Sequence, residues 1–315
     1  MGTLPAVVAE SGELVQVNGV DLFVRGFGDP GLPVLMVAHG GPTWDHSYLL
    51  PAVARLADVR HVVLLDLRGN GRSGRHLPVE QLQPDLVVDD ILALAHHIGA
   101  DRIDLLGFSF GGSVAMQYAA RFPHTLRTLI LASACAYDDD LPALLAEVPE
   151  YQQRSGRANE TDPAAFVDAP DGALSRAMAH DSLPLNVWHE DRWPQWREVL
   201  DGVVFSDDWA NAFSAGGVRR ARPDDPPAAL REAGMPILIV HGEHEMSFPL
   251  VLARRLHHDV PRSQLAVIPD AAHMAHFDNP DAWTRAIRDF IATPDSRPYV
   301  PGVLEIDRTQ TPGAR

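Results

Sequence analysis

The sequence predicts an α/β protein, with a doubly wound, mostly parallel sheet and an inserted helical cap. Six short apolar runs lack the alternation of half-exposed strands, as expected of parallel strands that are buried on both faces. These runs are residues 34–38, 61–66, 103–106, 126–132, 236–241 and 264–268. Stretches with helical periodicity lie between them, at residues 48–57, 86–98, 113–121, 249–258 and 280–291. Repeated alternation of strand and helix is typical of a doubly wound sheet.

Two further observations complete the predicted architecture. Asn18-Gly19 is a strong hairpin signal between two short strand-like stretches, and it predicts an antiparallel edge of the sheet. The alternation then breaks after the fourth run, where proline, tryptophan and charge are frequent and helical patterns prevail. The predicted units are a core at residues 1–133 and 234–292, a helical cap at 134–233 and a loose C-terminal tail at 293–315.

Composition limits the classes of function. The formal net charge is -16, which argues against binding to nucleic acid or to an anionic membrane. Between Cys135 and Glu232, 19 Asp and Glu stand against 9 Arg, so the cap carries much of this charge. No lysine occurs, which excludes pyridoxal phosphate bound as a Schiff base and a P-loop. We expect no cofactor, and a small molecule or a short peptide as substrate; the sequence does not indicate an oligomeric state.

The sequence also bears on location. The sequence contains no run of 18 or more apolar residues, so it predicts no transmembrane helix. The mean hydropathy is -0.08. The N-terminus lacks a basic region followed by an apolar one, so we expect no secretory signal. The single cysteine, Cys135, cannot form an internal disulfide, which fits a reducing compartment. We therefore expect a cytoplasmic protein.

Ser109 is the candidate nucleophile. It lies in Gly107-Phe108-Ser109-Phe110-Gly111, between a predicted strand and a predicted helix. A tight turn in this context exposes the serine hydroxyl above the sheet, and the small glycines let strand and helix approach closely. The N–H of Phe110 would then be free at the start of the helix to stabilise an oxyanion.

His273 is the candidate general base. A serine hydroxyl needs a base to take its proton, and in doubly wound sheets sites form at the carboxyl ends of strands. His273 follows the last predicted strand, behind two alanines that allow close approach to the serine. His276 is a competitor, which we expect to lie at a helix start or in a pocket. His39 and His241 adjoin glycines at strand ends, where a packed or hydrogen-bonded structural role is favoured.

The acid that orients the histidine is expected after the penultimate strand, where Glu245 is the first choice and Glu243 the competitor. A carboxylate from the cluster Asp138, Asp139 and Asp140, after the fourth strand, would also lie near the carboxyl edge. From the residues alone these alternatives stay open.

The second oxyanion donor is expected in His39-Gly40-Gly41-Pro42, after the first core strand, with the N–H of Gly41 as the natural candidate. A group of residues after the next strand predicts a glycine turn and an Asp–Arg network that brace the site. This group comprises Asp66, Arg68, Gly69, Gly71 and Ser73. No metal site is predicted, because His96-His97 and His257-His258 lie on helical stretches where adjacent side chains diverge.

These motifs, in this order, resemble those of the α/β-hydrolase superfamily and, within it, of the proline iminopeptidase branch. The matching patterns are His39-Gly40-Gly41-Pro42, Asp66-x-Arg68-Gly69-x-Gly71-x-Ser73, Gly107-x-Ser109-x-Gly111-Gly112, Gly242-x-x-Glu245-x-x-x-Pro249 and the His273 loop. They span residues 13 to 292, except for the cap. Related esterases and C–C hydrolases share most of them.

The resemblance implies a serine hydrolase and one further site residue. Aminopeptidases of this branch use glutamates of the cap to bind the free α-amine of the substrate, and Glu190 is the candidate here, against a role as a solvated surface charge. Two positions depart from the branch: Glu245 stands where aspartate is usual, and Thr43 where many members have glycine.

The sequence therefore predicts a cofactor-free serine hydrolase, foremost an aminopeptidase similar to the proline iminopeptidases. An esterase or lactonase acting on a small metabolite is the alternative enzyme. A non-catalytic binding protein of the same fold is the alternative from another class, although such proteins tend to lose the serine or the histidine, and both are present here.

Overall fold

The computed structural model describes residues 8–138, 141–158 and 160–292, together with the backbone of residues 302–305. Its strands are β1 Glu13–Val17, β2 Val20–Phe27, β3 Val34–Ala38, β4 His61–Leu65, β5 Ile103–Phe108, β6 Leu126–Ala132, β7 Ile237–Gly242, β8 Ser263–Ile268 and β9 Gly302–Glu305. They form one sheet in the order β1-β2-β4-β3-β5-β6-β7-β8-β9. β1, β2 and β4 pair antiparallel and all other neighbours pair in parallel, which confirms the predicted fold class and edge hairpin.

The helices of the described residues cover both faces of this sheet. They are α1 Leu50–Val53, α2 Pro84–His97, α3 Phe110–Arg121, α4 Leu141–Ala146, α5 Pro149–Arg154, α6 Ala173–Asp181, α7 Leu183–Asn186, α8 Trp193–Gly202, α9 Asp208–Ser214, α10 Pro226–Ala233, α11 Leu250–Asp259, α12 Ala275–Asp278 and α13 Pro280–Ile291. None of these helices is long and apolar enough to cross a bilayer.

Burial on both faces explains why the strands read as unbroken apolar runs. In β4, Val63 and Leu65 belong to a core on one side of the sheet, while Val62 and Leu64 belong to a core on the other. All four side chains are fully buried. Successive side chains of a strand point to opposite faces, so a strand covered on both sides needs apolar residues at every position.

An inserted segment, residues 133–236 between β6 and β7, holds helices α4 to α10. Its last helix, α10, packs against α3 and buries Leu230 in the core. Asp225 caps the first turn of α10 by accepting the Ala228 N–H at 3.0 Å, and Gly234 ends the helix in a left-handed conformation. Trp209 of α9 lies in the same core cluster, so more than one helix of the segment packs onto the core.

The predicted loose tail lies outside the described residues except for β9. This strand pairs in parallel with β8, with Leu265 opposite Val303, and extends the sheet at its edge. The sparse apolar periodicity of the tail gives no sign of this strand in the sequence.

Two glycines hold the turn around Ser109 in place. A Cβ atom on Gly111 would lie 2.2 Å from the carbonyl oxygen of Ala38, and one on Gly107 would lie 2.3 Å from that of Gly111. Both obstacles are backbone atoms, which cannot move aside as a flexible side chain can. The close approach of α3 to β3 and β5 therefore requires glycine at these positions.

We expect Gly111→Ala to lower the free energy of unfolding by at least about 2 kcal/mol, since forcing an atom into packed backbone costs in this range. Urea denaturation followed by circular dichroism measures the change. Gly202→Ala is the matched control, because a Cβ there meets nothing within 4 Å. Equal denaturation midpoints for Gly111→Ala and the wild type would contradict the steric account.

Candidate active site

Ser109 lies at the sharp turn between β5 and α3. Its backbone has φ 52° and ψ -114°, a region that side-chain-bearing residues rarely adopt. The turn is fixed by the Ser109 N–H, which donates to Ala132 O at 2.9 Å, and by Ser109 O, which accepts from Gly112 N at 2.9 Å. The Ser109 side chain makes no capping bond to α3, so its hydroxyl is not consumed by the helix. Strain at a serine whose hydroxyl is spared is typical of a functional position.

His273 lies in the loop between β8 and α12 and pairs with Glu245. Its Nδ1 is 3.0 Å from Glu245 Oε2 and 3.1 Å from Oε1, and both side chains are almost fully buried. Glu245 Oε1 also accepts the Ser247 N–H at 2.8 Å. Burial favours the protonated acid, but the His273 ring holds the pKa of Glu245 below its usual value. An ionised carboxylate on Nδ1 leaves Nε2 of the ring to act as a base.

The loop of His273 is held next to the serine turn. The carbonyl oxygen of His273 accepts the Ser133 hydroxyl at 2.8 Å. The His273 ring packs on Phe108, the residue before Ser109, with ring centroids 5.3 Å apart, and on Phe248, with centroids 5.8 Å apart. The structure therefore brings the predicted base and acid together and packs the base against Phe108, the residue before the predicted nucleophile.

The competing acids lie elsewhere. Glu243 is partly exposed, and its Oε2 accepts the Asp270 N–H at 3.3 Å. Asp138 forms ion pairs with Arg220 and Arg222 at the surface. Asp139 and Asp140 fall outside the described residues.

The other histidines considered from the sequence have structural environments. His39 is fully buried and accepts the Leu67 N–H on Nε2 at 3.0 Å, while its Nδ1 lies 2.8 Å from Gly40 O. Burial lowers the pKa of His39 and also that of His241, whose Nε2 lies 2.7 Å from Phe248 O. These contacts agree with the hydrogen-bonded role expected for both rings.

His276 lies in the first turn of α12, as expected of a helix-start residue. It packs among the rings of Tyr48, Phe108 and Trp196. Burial and the nearby His273 ring lower the pKa of His276 to about 3. It is therefore a neutral core residue near neutral pH.

The glycine loop after β3 passes beside the nucleophile. A Cβ on Gly40 would lie 2.7 Å from Ser109 Cβ, and the Gly40 N–H donates to the Tyr48 hydroxyl at 2.8 Å. Gly41 has φ 54° and accepts the Trp44 N–H at 2.8 Å, which closes a tight turn. Within the described residues, neither the Gly41 nor the Phe110 N–H donates to a protein acceptor. Both predicted oxyanion donors are therefore available to a ligand.

The expected bracing network exists, but with partners that the sequence did not reveal. Asp66 Oδ1 lies 2.5 Å from His46 Nδ1. Burial would raise the pKa of Asp66, but the interaction with His46 outweighs burial, and the pKa of Asp66 is lowered. Arg68 forms a buried, two-pronged pair with Asp90 of α2, at 2.6 and 2.7 Å. The Ser73 hydroxyl donates to Asp66 O at 2.6 Å. Gly69 and Gly71 have the positive φ values, 74° and 55°, that the predicted turn requires.

Glu190 lies in the inserted segment, in a single 3₁₀ turn before α8. Its side chain is half exposed, and Oε1 and Oε2 accept from Arg157 at 2.9 and 3.3 Å. The hydrogen bond from Arg157 lowers the pKa of Glu190. In the described part of the chain, Glu190 makes no hydrogen bond or ion pair with Ser109, His273 or Glu245, so the structure does not bring Glu190 together with them.

Two groups in the described part of the chain present three metal-ligating atoms within 4.8 Å of one another. They are His76, Asp171 and Asp208, and Glu243, His244 and Asp270. Asp171 already forms an ion pair with Arg75, and neither group contains Ser109, His273 or Glu245.

Comparison with known proteins agrees with this geometry. The family model described as the alpha/beta hydrolase fold matches residues 33–280, which include the serine turn, both glycine loops and the His273–Glu245 pair. The chain belongs to the α/β-hydrolase family.

Similar proteins within this family have several activities. The chain is 28% identical over 298 residues to a proline iminopeptidase of Xanthomonas citri, covering 85% of this chain and 92% of that protein. It is 25% identical over 299 residues to the 2-hydroxy-6-oxo-2,4-heptadienoate hydrolase of Pseudomonas putida, covering 92% and 99%. The crystal structure of a proline iminopeptidase-related protein of Thermus thermophilus superimposes with a TM-score of 0.68 at 26% identity, covering 89% and 96%. The predicted resemblance to the iminopeptidase branch is confirmed, and the relatives are hydrolases.

Proposed function

We propose that this α/β-hydrolase is a serine hydrolase that works through an acyl-enzyme without a cofactor. Ser109 is the nucleophile, His273 the general base and Glu245 the acid that orients the imidazole. The observation that carries this proposal is the buried His273–Glu245 pair, 3.0 Å apart, with the His273 ring packed on Phe108, the residue before the strained Ser109.

The chemistry follows from these positions. His273 Nε2 takes the hydroxyl proton as Ser109 Oγ attacks the substrate carbonyl carbon, and Glu245 stabilises the imidazolium that forms. The N–H groups of Gly41 and Phe110 bind the developing oxyanion. The imidazolium then protonates the leaving group, and water activated by the same ring releases the acyl group from Ser109.

For the substrate, we propose a short peptide with a free N-terminus, processed as by proline iminopeptidases. Support comes from the iminopeptidase relatives and from the acidic inserted segment, whose charge suits a cationic amine. Glu190 remains the proposed amine contact. The amine of a bound substrate would have to compete with Arg157 for the Glu190 carboxylate.

That competition favours a second candidate, an esterase or lactonase acting on a small metabolite. With both Glu190 oxygens already accepting from Arg157, an uncharged acyl substrate needs no further carboxylate. The same serine, base and oxyanion donors would cleave an ester, whose leaving group needs less assistance than an amine.

A substrate screen distinguishes the candidates. We expect the wild type to hydrolyse prolyl- or alanyl-arylamides or short acyl esters, with unchanged rates in the presence of a metal chelator. If the peptide proposal holds, Glu190→Gln raises KM for the arylamides and leaves KM for an ester unchanged. Ester cleavage alone, unaffected by Glu190→Gln, would select the second candidate. A folded protein that cleaves neither class and binds their products would favour the non-catalytic alternative.

A further inference from the structure

One buried carboxylate near the site has no part in the proposed chemistry. Asp278 ends α12, five residues after His273, and is 5% exposed. Its Oδ2 accepts the N–H of Ala272, the residue before His273, at 2.9 Å. The Trp188 N–H lies 3.1 and 3.0 Å from Oδ1 and Oδ2. A single side chain thus joins the His273 loop to the inserted segment.

Two further bonds tighten the same junction. The N–H of Met274, the residue after His273, donates to Asn186 O at 2.9 Å. The Arg192 guanidinium donates to the backbone oxygen of Asp278 at 2.8 Å. The backbone on both sides of His273 is therefore attached to the stretch between α7 and α8, directly at Met274 and through the Asp278 carboxylate at Ala272.

Burial removes water from the Asp278 carboxylate, which disfavours its ionised form. Burial raises the pKa of Asp278 to about 6, although the N–H groups of Ala272 and Trp188 favour the ionised form. The titratable and charged side chains near it are His189, Arg154 and Arg192, all from the inserted segment. A carboxylate kept in an unfavourable setting, on the loop of the proposed base, indicates a functional constraint.

We propose that Asp278 is a positioning residue: its carboxylate fixes the loop that carries His273 and couples that loop to the inserted segment. The inference rests on the proposed function, because it concerns how His273 is aligned with Ser109. Asp278 acts through the Ala272 and Trp188 amides and does not touch the reacting atoms.

The role requires a group that only accepts hydrogen bonds. The ionised carboxylate only accepts them, which matches the N–H groups that face it. The amide of Asp278→Asn would direct a donor at one of these donors, so this variant weakens the junction while nearly keeping the shape of the side chain.

The test uses a fluorophosphonate, which reports on Ser109 without knowledge of the substrate. Ser109 Oγ attacks phosphorus, the P–F bond breaks, fluoride leaves and His273 takes the serine proton. Second-order rate constants are measured at pH 7.5 on full-length protein, at a temperature where circular dichroism shows each variant to be folded. Asp281→Asn is the matched control, since Asp281 is a nearby exposed carboxylate paired with Arg55.

We expect Asp278→Asn to react at least about 10-fold more slowly than the wild type at pH 7.5, because small misplacements of a catalytic group can cost about 100-fold. With the substrate found in the screen, the loss should fall on kcat and leave KM unchanged, because Asp278 acts on the alignment of His273. Asp281→Asn should match the wild type in both respects. A residue with only a structural role would change the melting temperature and leave the labelling rate and kcat of the folded protein unchanged.

The outcomes separate the two proposals. Undiminished labelling of Ser109→Ala would overturn the proposed function itself. If Ser109→Ala is inert while folded Asp278→Asn reacts as the wild type does, only the positioning role is wrong. Should Asp278→Asn not fold, Asp278→Glu carries the test. The longer side chain displaces the carboxylate, so a wild-type rate in Asp278→Glu would overturn the inference and a slowed reaction would support it.

Discussion

Replacing Ser109 with alanine is expected to reduce turnover by about 10⁶-fold, to below detection in an ordinary assay. Such a loss corresponds to about 8 kcal/mol of transition-state stabilisation. The reason is that no other group can form the acyl-enzyme, even though the oxyanion donors and the His273–Glu245 pair remain. The measurement is kcat for the best substrate from the arylamide and ester screen.

Ser113→Ala is the matched control for this variant. Ser113 is a serine on the same helix, one turn beyond Ser109, and its N–H donates to Ser109 O. Its hydroxyl has no assigned role, so we expect turnover within about twofold of the wild type, as for most substitutions away from reacting groups. Activity of Ser109→Ala comparable to that of Ser113→Ala would refute the serine mechanism.

The second large effect is expected for Glu245→Gln, with kcat reduced by about 10⁴-fold. The amide is nearly the same shape as the carboxylate but carries no charge, so it stabilises the imidazolium poorly. Its NH₂ group can also donate to Nδ1, which would place the ring proton on Nε2 and block the base. Folding should be retained, which circular dichroism can verify before kcat is measured.

Glu243→Gln is the control, because Glu243 lies two residues away on the same loop and contacts the Asp270 amide rather than His273. We expect its kcat to stay within about threefold of the wild type, the range of surface substitutions. A loss of less than about threefold in Glu245→Gln would move the role of the acid to Glu243 or to the Asp138–Asp140 cluster.

Local sequence signals were enough to predict the fold and the core of the candidate site. The unbroken apolar runs predicted the parallel strands, because both faces of the sheet are covered. The Ser109 turn was predictable because its glycine pattern is local, and the contact of Gly107 with Gly111 lies within the turn itself. The contact that requires Gly111, with Ala38 of β3, is distant in sequence. His273 was predictable from its place after the last predicted core strand, where parallel strands deliver their loops to one edge.

Interactions between distant parts of the chain were not predictable in the same way. The choice between Glu245 and Glu243 depends on how one short loop turns, and two glutamates two residues apart give no pattern to decide it. Arg68 pairs with Asp90, and Asp66 with His46, through contacts 22 and 20 residues apart that no motif announces. Asp278 was missed although it lies close to His273, because its significance rests on the Trp188 amide 90 residues earlier.

The inserted segment illustrates the same limit. Its helical character followed from composition, but its attachments did not. The Ser206 N–H donates to Thr43 O at 2.9 Å beside the oxyanion loop, and Asn186 accepts from Met274 beside His273. These bonds join the segment to two loops of the proposed site through tertiary contacts that no local motif announces.

Trapping a covalent adduct on Ser109 tests the proposed serine mechanism most directly. The protein is mixed with a slowly deacylating ester or a fluorophosphonate, digested and analysed by mass spectrometry. If Ser109 is the nucleophile, we expect a single adduct, on the peptide that contains Ser109, and no adduct in Ser109→Ala. Hydrolysis that proceeds with no adduct, or with an adduct on another residue, would contradict this mechanism.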